Sequence, residues 1–390
     1  MTNAHPADAV TAPSADEHAG DMPIPRESVR ADIARGLVDV LALPAGQVNE
    51  NERAFTGDML IELFQYLPRT VKVEIAERLA AVLIPPPTLL RSLLREPIIV
   101  AGPLIDAFKD IPDSLLIEAI GVSSAHRDAI ARRLRISDFV AGALLDSEEQ
   151  SIVELVLRRK DIAISSQRID RLVARSVHED WLRPLVLQRL ELEPRHGFQM
   201  FWWLQAAERR RVLSRFAIDR GVVQNALKPA FSAVFPDPEP DEVAKRVLTL
   251  CDRRHRPRGR NGEPVSIDMV EKMLVAARAQ PNPERCAATG LLAGVSPAVA
   301  TRALMDEGGE PFAILCKSIG ISRSAFAEVM DKATMIRKED GLGPTFDKAQ
   351  QEELVGVFDM IARDYSRTIL RYWDWRRETL TAPSQPALSA

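Results

Sequence analysis

Cysteine is scarce. Three residues in 390, Cys251, Cys286 and Cys316, lie far apart and never form Cys-x-x-Cys. That excludes a disulfide framework and a paired-thiolate zinc site, and the three read as reduced thiols of a cytoplasmic protein. Aromatic residues make up only 5 % of the chain. No apolar run reaches the roughly eighteen residues that a membrane helix needs, so no transmembrane segment is expected. The N-terminus lacks the basic-then-apolar pattern of a signal peptide. There is no GxSxG elbow, no GxxxxGK[ST] loop, no GxGxxG after a strand and no HExxH. No catalytic residue, metal site or cofactor is therefore predicted. Acids slightly outnumber bases, for a formal charge of −4, which argues against wholesale nucleic-acid binding without excluding a local basic patch.

What is present is helical signal. Residues 113–189 read as short amphipathic helices stacked in pairs. Ser147 followed by Gln150 predicts a capping box ahead of Ile152, Val153, Leu155, Val156 and Leu157. Ser176 with Glu179 predicts a second box ahead of Leu182, Leu185 and Val186. Asp110 and Asp113 predict an acidic variant, with Pro112 in the first turn. SSAHRDAIARR at 123–133 resembles SVHEDWLRP at 176–184, and LLREPIIV at 93–100 resembles LLDSEEQSIV at 144–153. Both offsets are about fifty residues, the length of two helix pairs of HEAT type. One such pair cannot bury its apolar face alone, so the expectation is an all-α chain: an α-solenoid of HEAT-like repeats followed by a second helical region.

In order, residues 1–24 lack apolar periodicity and are expected to be a disordered tail. The helical-repeat region covers 25–235, with Pro97 and Pro103 marking helix starts. PDPEPDE at 236–242 is an acidic, proline-rich linker. A C-terminal helical region covers 243–377, with helices expected at 267–279, 283–292, 297–306, 310–319 and 323–336 and a long final helix at 346–377, and 378–390 is a second tail. Sustained period-two alternation is missing, so little or no sheet is expected.

LLREPIIVAGPLIDAF at 93–108, AHRDAIARR at 125–133, LLDSEEQSIVELVLRRKDIAIS at 144–165, GEPFAILCKSIGISRSAFAEVM at 309–330 and RYWDWR at 371–376 together resemble the uncharacterised, largely alphaproteobacterial family called domain of unknown function 2336. The resemblance covers most of residues 26–377. It implies helical, HEAT-like repeats and no established chemistry. Glu148 and Glu149 depart from the family pattern, where a shorter turn is common.

Six histidines are present. His126 and His178 sit at the third position of their predicted helices, where they can serve the cap. Trp202 and Trp203 cannot both face inward on one helix, so one is assigned to the core, and the other either covers a neighbouring helix or is exposed as a contact anchor. The candidate binding residues are arginines. Arg132 and Arg133 close one helix, Arg158 closes another, and Arg171 and Arg175 follow at helical spacing. Arg253, Arg254, Arg256 and Arg258 form the densest basic loop. Cations in a last helical turn suit the helix dipole without any ligand. On the concave side of a solenoid they can instead hold an anionic partner. The reading that follows is a non-enzymatic cytoplasmic scaffold or adaptor with a protein partner. Binding of nucleic acid or another anionic ligand through these arginines is the alternative, and an enzyme or nucleotide-signal receptor with a pocket made from distant residues is a third.

Overall fold

The computed structural model describes residues 26–44, 46–82, 85–217, 258, 261–340 and 345–375. The predicted tails, the 236–242 linker and Arg253, Arg254 and Arg256 lie outside them. The described residues form twenty helices and no strand; one isolated bridge joins Arg258 and Pro264. The chain divides after Leu144 into two compact units.

The first unit holds α1 (Arg26–Leu41), α2 (Glu50–Phe64), α3 (Arg69–Leu79), α4 (Pro87–Leu94), α5 (Ile98–Ala107), α6 (Asp113–Ile120) and α7 (Ser124–Arg132), and most of α8 (Asp138–Leu145). Most are too short to be stable alone in water, so packing of their apolar faces decides their existence. Several bury the same quartet, at positions i, i+1, i+4 and i+5. It is Leu89, Leu90, Leu93 and Leu94 in α4, Val100, Ala101, Leu104 and Ile105 in α5, and Leu115, Leu116, Ala119 and Ile120 in α6. The quartet covers one face of a two-turn helix. Helices pack on neighbours two places along the chain: α1 on α3, α2 on α4, α3 on α5, α4 on α6 and α5 on α7. Prolines define several starts, Pro68, Pro97 and Pro112 each standing just before the first helical residue. Pro103 is different. It lies inside α5 rather than starting a helix, and the carbonyl deprived of its partner belongs to Ile99, an exposed residue that water can reach.

The second unit continues with α9 (Gln150–Arg158), α10 (Ser166–Arg175), α11 (Leu182–Leu187), α12 (Pro194–Met200) and α13 (Ala206–Phe216). After the undescribed stretch come α14 (Ile267–Ala279), α15 (Pro283–Ala293), α16 (Pro297–Met305), α17 (Glu310–Ile319), α18 (Arg323–Asp340), α19 (Lys348–Met360) and α20 (Arg363–Trp375). The quartet recurs as Ile152, Val153, Val156 and Leu157 in α9 and as Val299, Ala300, Ala303 and Leu304 in α16. α17 is the central element and packs on α16, α19 and α20. Nine of its ten residues are buried, as expected of a helix apolar on nearly every side. Gly309 and Gly320 bracket it, both with positive φ, 82° and 92°. A Cβ at Gly309 would lie 2.6 Å from the Phe346 ring, so the two glycines are required by conformation, and Gly309 by space as well.

The single final helix expected over 346–377 is two helices, α19 and α20, broken at Ile361 and Ala362. The tryptophan expectation also changes. Residues 201–204 form a turn between α12 and α13 rather than helix, so Trp202 and Trp203 point to different parts of the core and both are buried. Helices on either side of the predicted linker pack together here. The Trp373 ring on α20 packs tilted against Trp202 and Phe201, with centroids 4.5 and 5.3 Å away, and its indole donates to the Phe198 carbonyl at 2.8 Å. Tyr372 donates to the Arg195 carbonyl at 2.9 Å. Buried Arg209 on α13 pairs with Asp306 at 2.6 Å and with Glu310 at 3.0 Å.

Ile152 is 2 % exposed in the α9 quartet. Ile152→Ala is expected to cost about 2–5 kcal/mol in urea melts, transfer plus cavity. A melt like that of the unaltered protein would contradict the packing described.

Candidate binding groove and the fate of the arginines

A short helix leaves its last carbonyls without intrahelical partners. In this chain arginines, and one histidine, answer that need across helices. Arg53 on α2 donates to the carbonyls of Leu41 and Leu43 at the end of α1. Arg133, just past α7, donates to those of Ile105, Phe108 and Lys109 at the end of α5. His126 points its Nε2 at the Glu96 carbonyl beyond α4, at 3.1 Å. In the second unit Arg189 donates to Leu157, Arg159 and Ile162 around the end of α9. Arg215 donates to Leu187 and Arg189 after α11. Arg367 on α20 donates to the Ser318 carbonyl in α17. Arg53, Arg133, Arg189 and Arg367 are buried. A guanidinium suits the task because its planar fork presents five donors and can reach two or three carbonyls at once.

The predicted site residues separate on this basis. Arg133 is a buried clasp within its own unit. Arg132, beside it, lies on the surface and holds Asp128 through two bonds of 2.8 and 2.9 Å. Arg158 is exposed and pairs with Glu154, one turn back, at 3.1 Å. Arg258 donates to the Gly262 carbonyl at 2.8 Å, within its own turn.

Arg171 and Arg175 are brought together. Both project from α10 into an open groove of about 800 Å³ that is also lined by Asp146, Ser147, Glu148, Gln150, Ala174, Glu179 and Trp181. Arg175 is fixed. It forms a two-point pair with Glu179, both contacts 3.0 Å, and donates to the Leu145 carbonyl at 2.7 Å. Arg171 is held more loosely, 3.9 Å from Asp146, and its side chain is 60 % exposed. The Ser147 hydroxyl is buried among these groups and makes no hydrogen bond. Half-buried Trp181 adds apolar surface. The groove thus combines opposite charges, a hydroxyl and an indole, a set suited to gripping a polar chain with an apolar side group.

The two capping boxes take other roles, and that is why the groove was hidden. α9 starts at Gln150 with Glu149 as its cap residue, which leaves Ser147 outside the helix. Ser176 ends α10 instead of starting a helix, and its buried hydroxyl donates to the Val173 carbonyl and accepts from the Trp203 indole at 3.0 Å. Glu179 is drawn to Arg175. The acidic box at Asp110 and Asp113 is also altered: Pro112 is the cap residue, and Asp113 accepts from the Ser137 hydroxyl at 2.6 Å. Trp181 and Asp146 went unnoticed as groove residues because a turn residue carries no helical periodicity to mark its direction.

His196 is a buried polar centre that the sequence did not reveal. Its Nδ1 accepts from the Glu193 backbone N–H at 3.0 Å, and its Nε2 lies 2.8 Å from the Asp170 carboxylate. Both ring nitrogens are therefore satisfied by the neutral tautomer with the proton on Nε2. Burial pushes its pKa below the ordinary histidine value, against the pull of Asp170.

Residues 100–371 match the family model described as an uncharacterised protein conserved in bacteria, domain of unknown function 2336. The chain belongs to this family. No curated protein and no solved structure matches it. Within the matched span, the apolar α17 is a core element of the second unit, so this stretch serves packing.

Two outcomes are expected. Arg189→Met should destabilise the protein by about 3 kcal/mol or more in urea melts, because three carbonyls lose a charged donor together. Stability should also depend on pH through His196. Its folded pKa lies below the unfolded value of about 6.5, so the unfolded chain takes up the proton first, and stability present above that pH is lost as pH falls. Melting temperatures recorded from neutral to mildly acidic pH should decline, and His196→Gln should flatten part of that decline.

Proposed function

We propose that the protein is a non-enzymatic scaffold or adaptor of the bacterial cytoplasm, built on HEAT-like stacked helix pairs, that holds a segment of a partner protein in the Arg171–Trp181 groove. The observation that carries this reading is the groove's mixed lining. Two guanidiniums face three carboxylates, and an indole and a spare hydroxyl stand beside them. A nucleic-acid track needs an excess of cations free to neutralise phosphates. A peptide segment, in contrast, offers both charge signs, backbone groups for the hydroxyl and an apolar side chain for the indole. The diversion of Arg53, Arg133 and Arg189 to backbone carbonyls supports the same reading, because it buries guanidiniums, the candidate Arg133 among them, that would otherwise add basic character to the surface. The buried Cys286 and Cys316, both free thiols, fit a reducing compartment. No single described helix is long and apolar enough to cross a membrane.

Affinity capture from native cells with the full chain, paired with an Arg171→Glu, Trp181→Ala variant, tests the proposal. A protein retained by the unaltered chain and lost by the variant is expected. Both positions are at least partly exposed, so the variant should melt close to the unaltered protein. Mobility-shift assays with duplex DNA and RNA across a salt series form the second arm, and no shift is expected near physiological salt. A shift there, weakening by about 0.9 in log K per neutralised phosphate for each unit of log salt, would overturn the scaffold reading in favour of nucleic acid.

A further inference from the structure

The N-terminal hairpin, outside the span matched by the family model, has one face that the first unit does not use. α1 buries Ala31, Ala34, Val38 and Leu41. On its opposite side Val29, Ile33 and Val40 are 43, 47 and 36 % exposed. α2 repeats the arrangement. It buries Leu60 and Phe64 and leaves Phe55 and Met59 exposed, and Tyr66 is exposed in the turn just past its end. α1 packs against α2, and the Arg30 guanidinium near the start of α1 lies 5.0 Å over the Tyr66 ring. A helix face left to solvent ordinarily carries charged and polar side chains. This one carries six large apolar side chains.

We infer that this face binds a second copy of the chain, with the two α1 helices antiparallel across a two-fold axis. The spacing of the ridge carries the inference. Positions 29, 33, 36 and 40 step by four, three and four, the seam spacing of a coiled coil. The sequence of steps reads the same in both directions. In an antiparallel pair centred between positions 34 and 35, Val29 meets Val40 of the second copy and Ile33 meets Gly36. Gly36 is exposed, and a Cβ there would touch nothing within 4 Å. Glycine weakens an exposed helix interior, and here it leaves a notch that the isoleucine of a second copy fills. The face is therefore complementary to itself, which a two-fold interface requires.

The surroundings agree. Asp32 and Asp39 beside the ridge are paired with Arg35 and Arg78, at 2.9 and 2.5 Å, with Arg35 shared between Asp32 and Glu74, so part of the negative charge beside it is offset. Residues 1–25 are a poor alternative cover, because Val10, Met1, Met22 and Ile24 are their only large aliphatic residues. Sixteen helical residues span about 24 Å. Two helices side by side are about 20 Å wide. The footprint is thus about 500 Å² on each copy, or about 1,000 Å² in total, at the lower limit for a specific interface. A dimer with micromolar dissociation constant is expected.

Sedimentation velocity of the full chain over a concentration series tests this. A reversible monomer–dimer equilibrium is expected for the unaltered protein, for Gly36→Ala it should persist, and Ile33→Asp and Phe55→Asp should each leave monomer. Both aspartate positions are exposed, and unchanged melting temperatures will show that the fold is kept. Register is read separately: V29C copies mixed with V40C copies should be cross-linked by a short bis-maleimide faster than either variant alone. A monomer at every concentration, a dimer indifferent to both aspartates, preferential cross-linking of like with like, or a monomer that pellets with lipid vesicles through this face would each overturn the inference. None of these results bears on the groove, which lies in the other unit.

Discussion

The satisfaction of helix C-termini is the constraint on which the rest of this structure depends. A chain cut into helices of two or three turns has a large share of its carbonyls near an end, and each buried carbonyl left without a donor costs on the order of 1–3 kcal/mol. Glycine caps do this work for α15 and α17, where Gly294 and Gly320 adopt left-handed conformations. Elsewhere a guanidinium from another helix does it. The side chain that completes one helix thereby fixes the position of another, so capping and tertiary packing become one interaction. A lysine would not substitute, since its ammonium cannot span three carbonyls in one plane.

The second unit adds a buried charge to this scheme. Arg209 donates to the Phe201 carbonyl and to Asp306 and Glu310 together. Burial raises the Glu310 pKa, and Arg209 opposes that rise. Removing either partner would strand the other away from water, which costs more than the pair contributes when intact. Beside it the rings of Phe201, Trp202 and Trp373 interlock, with Arg302 lying 4.5 Å over Trp202. A protein poor in aromatics has concentrated several of them at one junction, where their area is buried and the Trp373 indole N–H reaches the Phe198 carbonyl.

Helix type was legible from sequence because it is written in neighbours. The quartet at i, i+1, i+4 and i+5, the prolines just before α3 and α5 and those at the first residue of α15 and α16 need no tertiary knowledge to read, and the helices expected at 267–279, 283–292, 297–306 and 310–319 lie within one residue of those observed. What failed were assignments that depend on a competing partner. Ser176 had the spacing of a cap, but an indole twenty-seven residues away claims its hydroxyl. Pro103 resembled a helix start, but an exposed preceding turn tolerates it inside α5. Of the candidate site, Arg171 and Arg175 were legible as a basic pair at helical spacing. Their neighbours Asp146, Ser147 and Trp181 were not, since turns bring them there. Nor could sequence separate Arg132 from Arg133. The two are adjacent and chemically identical, and only the direction of the chain beyond α7 turns one to solvent and the other to three carbonyls.

The arginine clasps also have a direction. Arg53, Arg133, Arg189 and Arg215 each reach back to a helix made earlier in the chain, Arg133 and Arg189 over 24 to 32 residues. During synthesis, then, a helix leaves the ribosome with its end open and is closed only when a later stretch of about that length has followed it. The chain emerges at roughly 5–20 residues per second, so each such end waits a few seconds for its donor. Folding of these layers is in this sense vectorial: the ends of α1, α5, α9 and α11 are each finished by a stretch of chain made after them.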